Sequence, residues 1–293
     1  MAIAPPRTRH LSIAVLADVH LGTSASKAKE VLDYLDSITP DTLVLAGDFI
    51  ELDKVRQGKL KQVHLAVIRR VLDLAHSGTK VYYLTGNHDA RLRKFGNLAL
   101  GDLHIRQELI LQFDGHRHYF FHGDLLDAAV KYKLSTDRVS GFWRTIRSAQ
   151  LTLVDAVERT KVQFKQLVGR QKWSLATEVK TDPARAKAYV EIFERAATRL
   201  AENKGCDHVI CAHIHQPKIE LRKLDGKVIH YLNAGDWIDN LTALEYRFGK
   251  WELYRYDADD FPTPSSRLRT PLERAGKGVG RMEEELMRKL VSS

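Results

Sequence analysis

From Leu11 to Phe121 the chain alternates short apolar runs with amphipathic stretches. Leu11 to Leu16 is apolar enough to be buried on both faces and predicts a first strand. Lys27 to Ser37 places Ala28, Val31, Leu32 and Leu35 at helical spacing, and Leu60 to His76 does the same with Leu60, Val63, Val67, Val71 and Leu74, with Gly78 as a stop. Thr42 to Leu45 and Lys80 to Leu84 read as two further strands. The order strand, helix, strand, helix, strand predicts an α/β sheet covered by helices. A hairpin follows, Gln107 to Phe113 and His118 to Phe121 around the turn Asp114-Gly115.

Strand periodicity then stops between Leu125 and about Gly205. Val139, Phe142, Trp143, Ile146 and Val154 to Val168 read as helices, and Pro183 fits the first turn of a long helix running to Lys204. Helix between two strand regions predicts a cap or lid inserted at 125–205 within a domain spanning 10–257. Strands resume at Val209 to Cys211, around the turn Asp225-Gly226, at Leu241 to Tyr246 and at Lys250 to Tyr256. Residues 258–293 read as a Pro-, Ser- and Arg-rich linker ending in a short helix with Met282, Leu286 and Leu290 on one stripe.

Composition narrows the class. In 293 residues, 44% hydrophobic and 28% charged residues suit a globular domain. No apolar stretch reaches the roughly 18 residues of a membrane span. The first apolar run leads directly into Asp18-Val19-His20, as a strand would and a targeting segment would not. Two cysteines, Cys206 and Cys211, give no disulfide framework, so a reducing cytoplasm is the expected compartment. The net charge is +9, and Lys131 to Lys180 holds eleven Lys or Arg against four Asp or Glu. That local excess suits an anionic partner or a solvated helix face.

The chemistry lies at the strand ends. The strands end in Asp18-Val19-His20, in Gly47-Asp48, in Gly86-Asn87-His88-Asp89, in His122-Gly123-Asp124 and in His213-Ile214-His215. The C-terminal edge of an open α/β sheet is where ligands bind. Asp-x-His, Gly-Asp and His-x-His are each common in structural roles, and Gly-Asn-His-Asp is rarer; their succession, each after an apolar strand, is what points to a site. The set lacks thiolate, and mixed nitrogen and oxygen donors suit open, catalytic coordination of manganese, iron, zinc or cobalt. Seven donors exceed the needs of one ion that must admit substrate. Two ions roughly 3.5–4 Å apart, sharing a carboxylate and a bridging hydroxide, would use them to hydrolyse a phosphate ester or anhydride.

These motifs resemble those of the calcineurin-like metallophosphoesterases over residues 11 to 217. The resemblance implies a four-layer α/β/β/α sandwich with a helical cap insertion and two divalent metal ions, manganese favoured, with zinc and iron as alternatives. One would be held by Asp18, His20, Asp48 and His215, the other by Asp48, Asn87, His122 and His213. It also implies His88 as a general acid near the leaving oxygen, with Asp89 orienting it. "DVHLGT", "HGDLLD" and "NAGDWIDNLTALEY" further resemble the UDP-2,3-diacylglucosamine diphosphatase-like branch. Members of that branch cut the pyrophosphate of a nucleotide-linked acyl sugar in lipid A synthesis and carry a helical lid for the acyl chains. Two positions depart from it: His88 stands where the strict hydrolases have Arg, and Ala212 stands where the family usually has Gly.

The expected function is therefore a metal-dependent hydrolase of a phosphate anhydride or diester, on a lipid-linked nucleotide. Peripheral contact with the inner membrane face, through the cap or the C-terminal helix, would accompany it, with Arg267, Arg269 and Arg274 near the bilayer. Nucleic acid is a disfavoured alternative substrate, because the aromatics of 125–205 form no stacking strip. A non-catalytic scaffold would have lost ligands. Asp236 and Asp239 read as turn caps in preference to supports for a metal ligand, and the sequence leaves the oligomeric state open.

Overall fold

The computed structural model describes residues 8–128, 130 and 182–261. The basic segment at 131–180, with Phe142, Trp143, Ile146 and Phe164, and the C-terminal helix with Met282, Leu286 and Leu290 lie outside the described residues. So do Arg267, Arg269 and Arg274.

The described helices are α1 (Ala28–Asp36), α2 (Leu52–Arg56), α3 (Gln62–His76) and α4 (Pro183–Asn203). The strands are β1 (Arg9–Leu16), β2 (Ile38–Ala46), β3 (Lys80–Leu84), β4 (Ala99–Leu100), β5 (Leu103–Arg106), β6 (Glu108–Phe113) and β7 (His116–Phe121). The remaining five are β8 (His208–Cys211), β9 (Lys218–Leu224), β10 (Lys227–Asn233), β11 (Thr242–Arg247) and β12 (Lys250–Arg255). They form two sheets, ordered β12-β11-β1-β2-β3-β5-β4 and β6-β7-β8-β10-β9. β1, β2, β3 and β5 run parallel, as do β7, β8 and β10, so within each sheet the central strands end on one edge.

Strand alternation builds three cores from these sheets. Leu43, Leu45, Val81 and Tyr83 face outward, against Val31, Leu35, Val67 and Val71 of α1 and α3. Val15, Val44 and Leu84 face inward, against Phe120, Ile210 and Leu232 of the second sheet. Tyr119, Val209, Cys211 and Tyr231 form the outer face of that sheet, under α4. The molecule is thus an α/β/β/α sandwich whose central strands are apolar on both faces, as their unbroken apolar runs require.

The placement of α4 differs from its expected membership of an insertion at 125–205. Tyr189, Phe193, Ala197 and Leu200 recur at helical spacing and bury against the second sheet, making α4 the fourth layer of the sandwich. Its buried Glu194 accepts from Lys218 and Arg222 on β9, which fastens the helix to the sheet edge. An apolar stripe has the same spacing in a cap helix and in a layer helix, and only the sheet beneath distinguishes them. Removing Phe193, fully buried at the centre of that face, should cost roughly 3–5 kcal/mol as Phe193→Ala. Urea unfolding checks this, and a loss under about 1 kcal/mol would mean that α4 is not anchored there.

At the edge of the second sheet opposite those strand ends, His118, His208 and His230 lie directly across from one another on β7, β8 and β10. Phe113, His118 and His208 stack at centroid distances of 3.7 and 4.1 Å, and the Trp251 indole N–H faces His118 Nδ1 at 3.4 Å. Burial, reinforced by the neighbouring imidazoles, holds His118 down to about 4 and His208 to about 3. Both stay neutral in the native protein while unfolded imidazoles take up protons below about pH 6.5. Their contribution to stability is therefore complete above pH 6.5 and is lost as pH falls toward 4. Thermal melts should show a lower Tm at pH 5 than at pH 7.5, with a smaller drop in His118→Phe; an equal drop in the variant would contradict this origin.

Candidate metal centre

The site is built where β1, β2 and β3 of the first sheet and β7 and β8 of the second run out. Asp18 and Asp48 follow neighbouring parallel strands, in which Leu16 pairs with Leu45. The Asp18 amide donates to the Gly47 carbonyl and the His20 amide to the Asp48 carbonyl, at 3.1 and 2.9 Å. The two loops are thereby zipped together past the strand ends. Asp18, His20, Asp48, His213 and His215 all have positive φ, between 50° and 68°. A non-glycine residue is rare in that region and the strain costs on the order of 1 kcal/mol or more each, so five such residues at expected ligand positions mark a functional site.

The expected ligands converge in three overlapping groups, each with donor atoms within 4.8 Å of one another: Asp18, His20 and His215; His20, Asp48 and His88; and Asp48, His122 and His213. Asp48 and His20 each belong to two of them, and His88, expected beside the metals, joins the group that they share. Asn87 sits in the loop whose next amide, that of His88, donates to Asp48 Oδ1 at 2.8 Å, and its own Oδ1 is buried without a hydrogen-bond partner.

The imidazoles are arranged with one nitrogen inward and the other toward an oxygen outside the cluster. His122 Nδ1 meets the Ala46 carbonyl at 2.9 Å, leaving Nε2 facing Asp48 Oδ2 at 3.4 Å. His213 turns Nε2 to Asp127 at 2.8 Å and Nδ1 to the cluster. His215 has Asp236 at 3.7 Å from Nδ1 and Asp18 at 3.3 Å from Nε2. At His122 and His213 the outer oxygen is within hydrogen-bond distance, which fixes the tautomer and aims the inner nitrogen, as metal-ligating histidines require.

Charge and hydrogen bonding fit divalent cations. Asp18 Oδ1 is fully buried and accepts no hydrogen bond, and Asn87 Oδ1 is equally orphaned. Burial disfavours the charge on Asp18 and Asp48, yet the surrounding imidazoles hold both carboxyls below the usual carboxylate range. Burial also opposes charge on His122 and His215, but the carboxylates raise both, His215 to about 9. The cluster is thus a buried negative centre that calls for positive charge, with oxygen and nitrogen donors already aimed at it.

His88 lies at the mouth, its ring edge-on to His20 at 4.7 Å and its Nε2 3.9 Å from Asp48 Oδ2. The expected pairing with Asp89 is corrected here. Both Asp89 oxygens point into the protein, accepting from the Gly86 and Phe49 amides and from the Tyr83 hydroxyl at 2.6 to 3.1 Å. Burial and the nearby Asp48 push its carboxyl up to about 6, and its work is to hold the loop. The carboxylate beside His88 is that of Glu51, 2.7 Å from Nδ1, which raises the imidazole to about 9. Glu51 itself is drawn down to about 2 by His20 and His88.

Arg93, which the sequence did not single out, completes the frame together with several residues that it did. Arg93 binds the Gly86 carbonyl at 2.9 Å and Asp124 Oδ2 at 2.7 Å, joining the third loop to the end of β7. Asp236 caps its turn as expected, accepting from the amides of Ile238, Asp239 and Asn240, while its second oxygen faces His215. Asp239 takes part through its amide alone in these contacts. The Ala212 methyl packs in the core between the sheets at ordinary φ, so the family's usual glycine is not needed there. A cleft of about 240 Å³ opens beside His122, between Thr85, Tyr119, Phe121, Leu126 and Leu200.

A two-sheet sandwich with carboxylates and imidazoles converging at its strand ends is an arrangement that could hold divalent metal ions. The chain belongs to the calcineurin-like phosphoesterases, whose family profile matches residues 11–217. It is similar to UDP-2,3-diacylglucosamine hydrolase of Stenotrophomonas maltophilia, 23% identical over 81% of this chain and 96% of that protein. The Aliivibrio fischeri protein of the same name is 20% identical over 84% and 98%. A Thermotoga maritima protein solved by NMR overlays with a TM-score of 0.38 at 15% identity, covering 83% of this chain and 98% of that one.

Gly86 can be tested directly. A Cβ there would lie 2.2 Å from Asp48 Oδ1 and 2.7 Å from the Asp48 amide, so the carboxylate would have to move. Gly86→Ala should retain the fold, by circular dichroism, and bind divalent metal more weakly than the wild type in a competition titration with a chelator dye. Metal bound as tightly as in the wild type would show that Asp48 need not sit where it does.

Proposed function

We propose that this phosphoesterase cleaves the phosphate anhydride of a lipid-linked nucleotide, UDP-2,3-diacylglucosamine or a close analogue, using two divalent metal ions. The observation that carries the reading is the meeting of Asp18, His20 and His215 in one ligand group and of Asp48, His122 and His213 in another, with His20 and Asp48 together in a third. The lipid-linked substrate is favoured by the similarity to hydrolases of that name over most of the chain, and by the cleft beside His122, whose Phe121, Leu126 and Leu200 suit an apolar substituent. Manganese is the metal we favour, on the mixed nitrogen and oxygen donors. We place the protein in the cytoplasm, touching the membrane face only where its lipid substrate resides.

Asp18, His20, Asp48 and His215 would hold one ion; Asp48, Asn87, His122 and His213 would hold the other. When bound, the ions would supply Lewis acidity toward the phosphoryl oxygens and a nucleophilic water at neutral pH. The protein contributes position and a proton. The two outer oxygens on His122 and His213 hold those rings in one tautomer. His88, exposed at the mouth, is held at Nδ1 by Glu51 and presents Nε2 toward the site, where it can protonate the departing oxygen. Glu51 keeps that ring oriented and neutralises its charge.

Protein stripped of metal and reloaded with Mn²⁺ or Zn²⁺ should release UMP from UDP-2,3-diacylglucosamine faster than it cleaves an aryl phosphodiester, a phosphomonoester or an oligonucleotide. Asp48→Ala should abolish the activity. His88→Ala and Glu51→Gln should retain both metals, with His88→Ala slowed by roughly a hundredfold and Glu51→Gln by less. A preference for the oligonucleotide would overturn the substrate, and full activity in Asp48→Ala would overturn the site.

A further inference from the structure

His213 is anchored from outside the cluster by a pair of buried residues distant in sequence. Asp127 Oδ2 lies 2.8 Å from His213 Nε2, and the hydroxyl of Tyr189, on α4, donates to Asp127 Oδ1. Asp127 and Tyr189 are each 4% exposed. The Asp127 amide donates to the Gly123 carbonyl at 2.8 Å, which fixes the carboxylate relative to His122. On its other side His213 presents Nδ1, 3.3 Å from His122 Nε2 and grouped with Asp48. The ring is thus pinned at Nε2 by the carboxylate, with Nδ1 turned to His122 and the cluster.

We infer that Asp127 is a positioning residue for the metal ion held by His213: it keeps the imidazole as the Nε2–H tautomer with its Nδ1 lone pair toward the cluster, and Tyr189 holds Asp127 in that pose. This rests on the dinuclear reading given above. The physical case follows from the imidazole's chemistry. A neutral ring has one N–H and one lone pair, and only the lone pair can bind a cation. A carboxylate at Nε2 fixes the proton there and makes Nδ1 more basic, which a carbonyl partner such as that of His122 does less strongly. His213 is also the ligand in most need of such support. Its φ is +68°, and its amide is already committed to Asp18 Oδ2 at 3.0 Å, so the backbone alone does not set the ring's rotation. Tyr189 extends the link into the fourth layer. α4, buried against the second sheet through Phe193 and Leu200, thereby bears on His213 through Tyr189 and Asp127.

The test is metal affinity, measured with Mn²⁺ and Zn²⁺ against a competing chelator dye. Wild-type protein should bind two ions per chain. Asp127→Asn and Asp127→Ala should weaken one of the two by roughly 10–100-fold, and Tyr189→Phe by a smaller factor, with Tm showing that each variant is folded. In a His213→Ala background, Asp127→Ala should bring no further loss. Imidazole ¹⁵N shifts of the metal-free protein should show His213 as the Nε2–H tautomer, and a mixture of tautomers in Asp127→Ala. If Asp127→Ala does not fold, Asp127→Asn and Tyr189→Phe carry the test. Unchanged affinity in the folded variants, or an equal loss without His213, would overturn the inference. Wild-type protein that binds no ion would instead overturn the dinuclear reading itself.

Discussion

Two buried carboxylates at the ends of neighbouring parallel strands set the terms for the rest of the structure. Asp18 is fully buried and Asp48 nearly so, and each repels the other. Like charges in a low-dielectric interior are costly unless positive charge lies between or beside them. Every feature of the edge answers that demand. Five imidazoles gather with the carboxylates, the backbone accepts left-handed strain at Asp18, His20, Asp48, His213 and His215, and Gly86 gives up a side chain so that Asp48 can sit against the third loop.

The layers explain how donors from distant parts of the chain reach one place. Parallel β1, β2 and β3 bring Asp18, Asp48 and the loop at 86–89 to one edge, and parallel β7 and β8 bring His122 and His213 to the matching edge of the other sheet. The core between the sheets, from Val15 and Val44 to Phe120 and Ile210, holds the two edges together. Outside the cluster lies a second ring of oxygens: Ala46, Asp127 and Asp236 behind the histidines, Glu51 behind His88, and the carboxyl of Asp89 turned inward to hold its loop. The donors at the centre select the kind of ion, and the outer oxygens set the geometry in which it would be held.

Much of this could be read from the sequence, because a strand that is apolar and then stops at Asp-x-His or Asn-His-Asp shows both its burial and its direction. The strand ends carry these carboxylates and imidazoles because parallel strands share an edge, and that follows from the alternation of elements. The outer oxygens could not be read in the same way. Glu51, just before α2, and Asp127, in a short helical segment, are ordinary acidic residues, and nothing local shows that one meets His88 and the other His213. Asp89, adjacent to His88 in the chain, was the natural guess, but its side chain points the opposite way, toward the Gly86 and Phe49 amides and Tyr83. The assignment of α4 had a similar limit: its stripe of Tyr189, Phe193 and Leu200 shows that it is buried, but not against what.

The central claim is that Asp48 is shared by two cations. Crystals grown with Mn²⁺ and measured at the manganese absorption edge test it most directly. The account predicts two anomalous peaks, both within bonding distance of the Asp48 carboxylate, one beside Asp18 and His215 and the other beside His122 and His213. A single peak, or peaks away from Asp48, would contradict it.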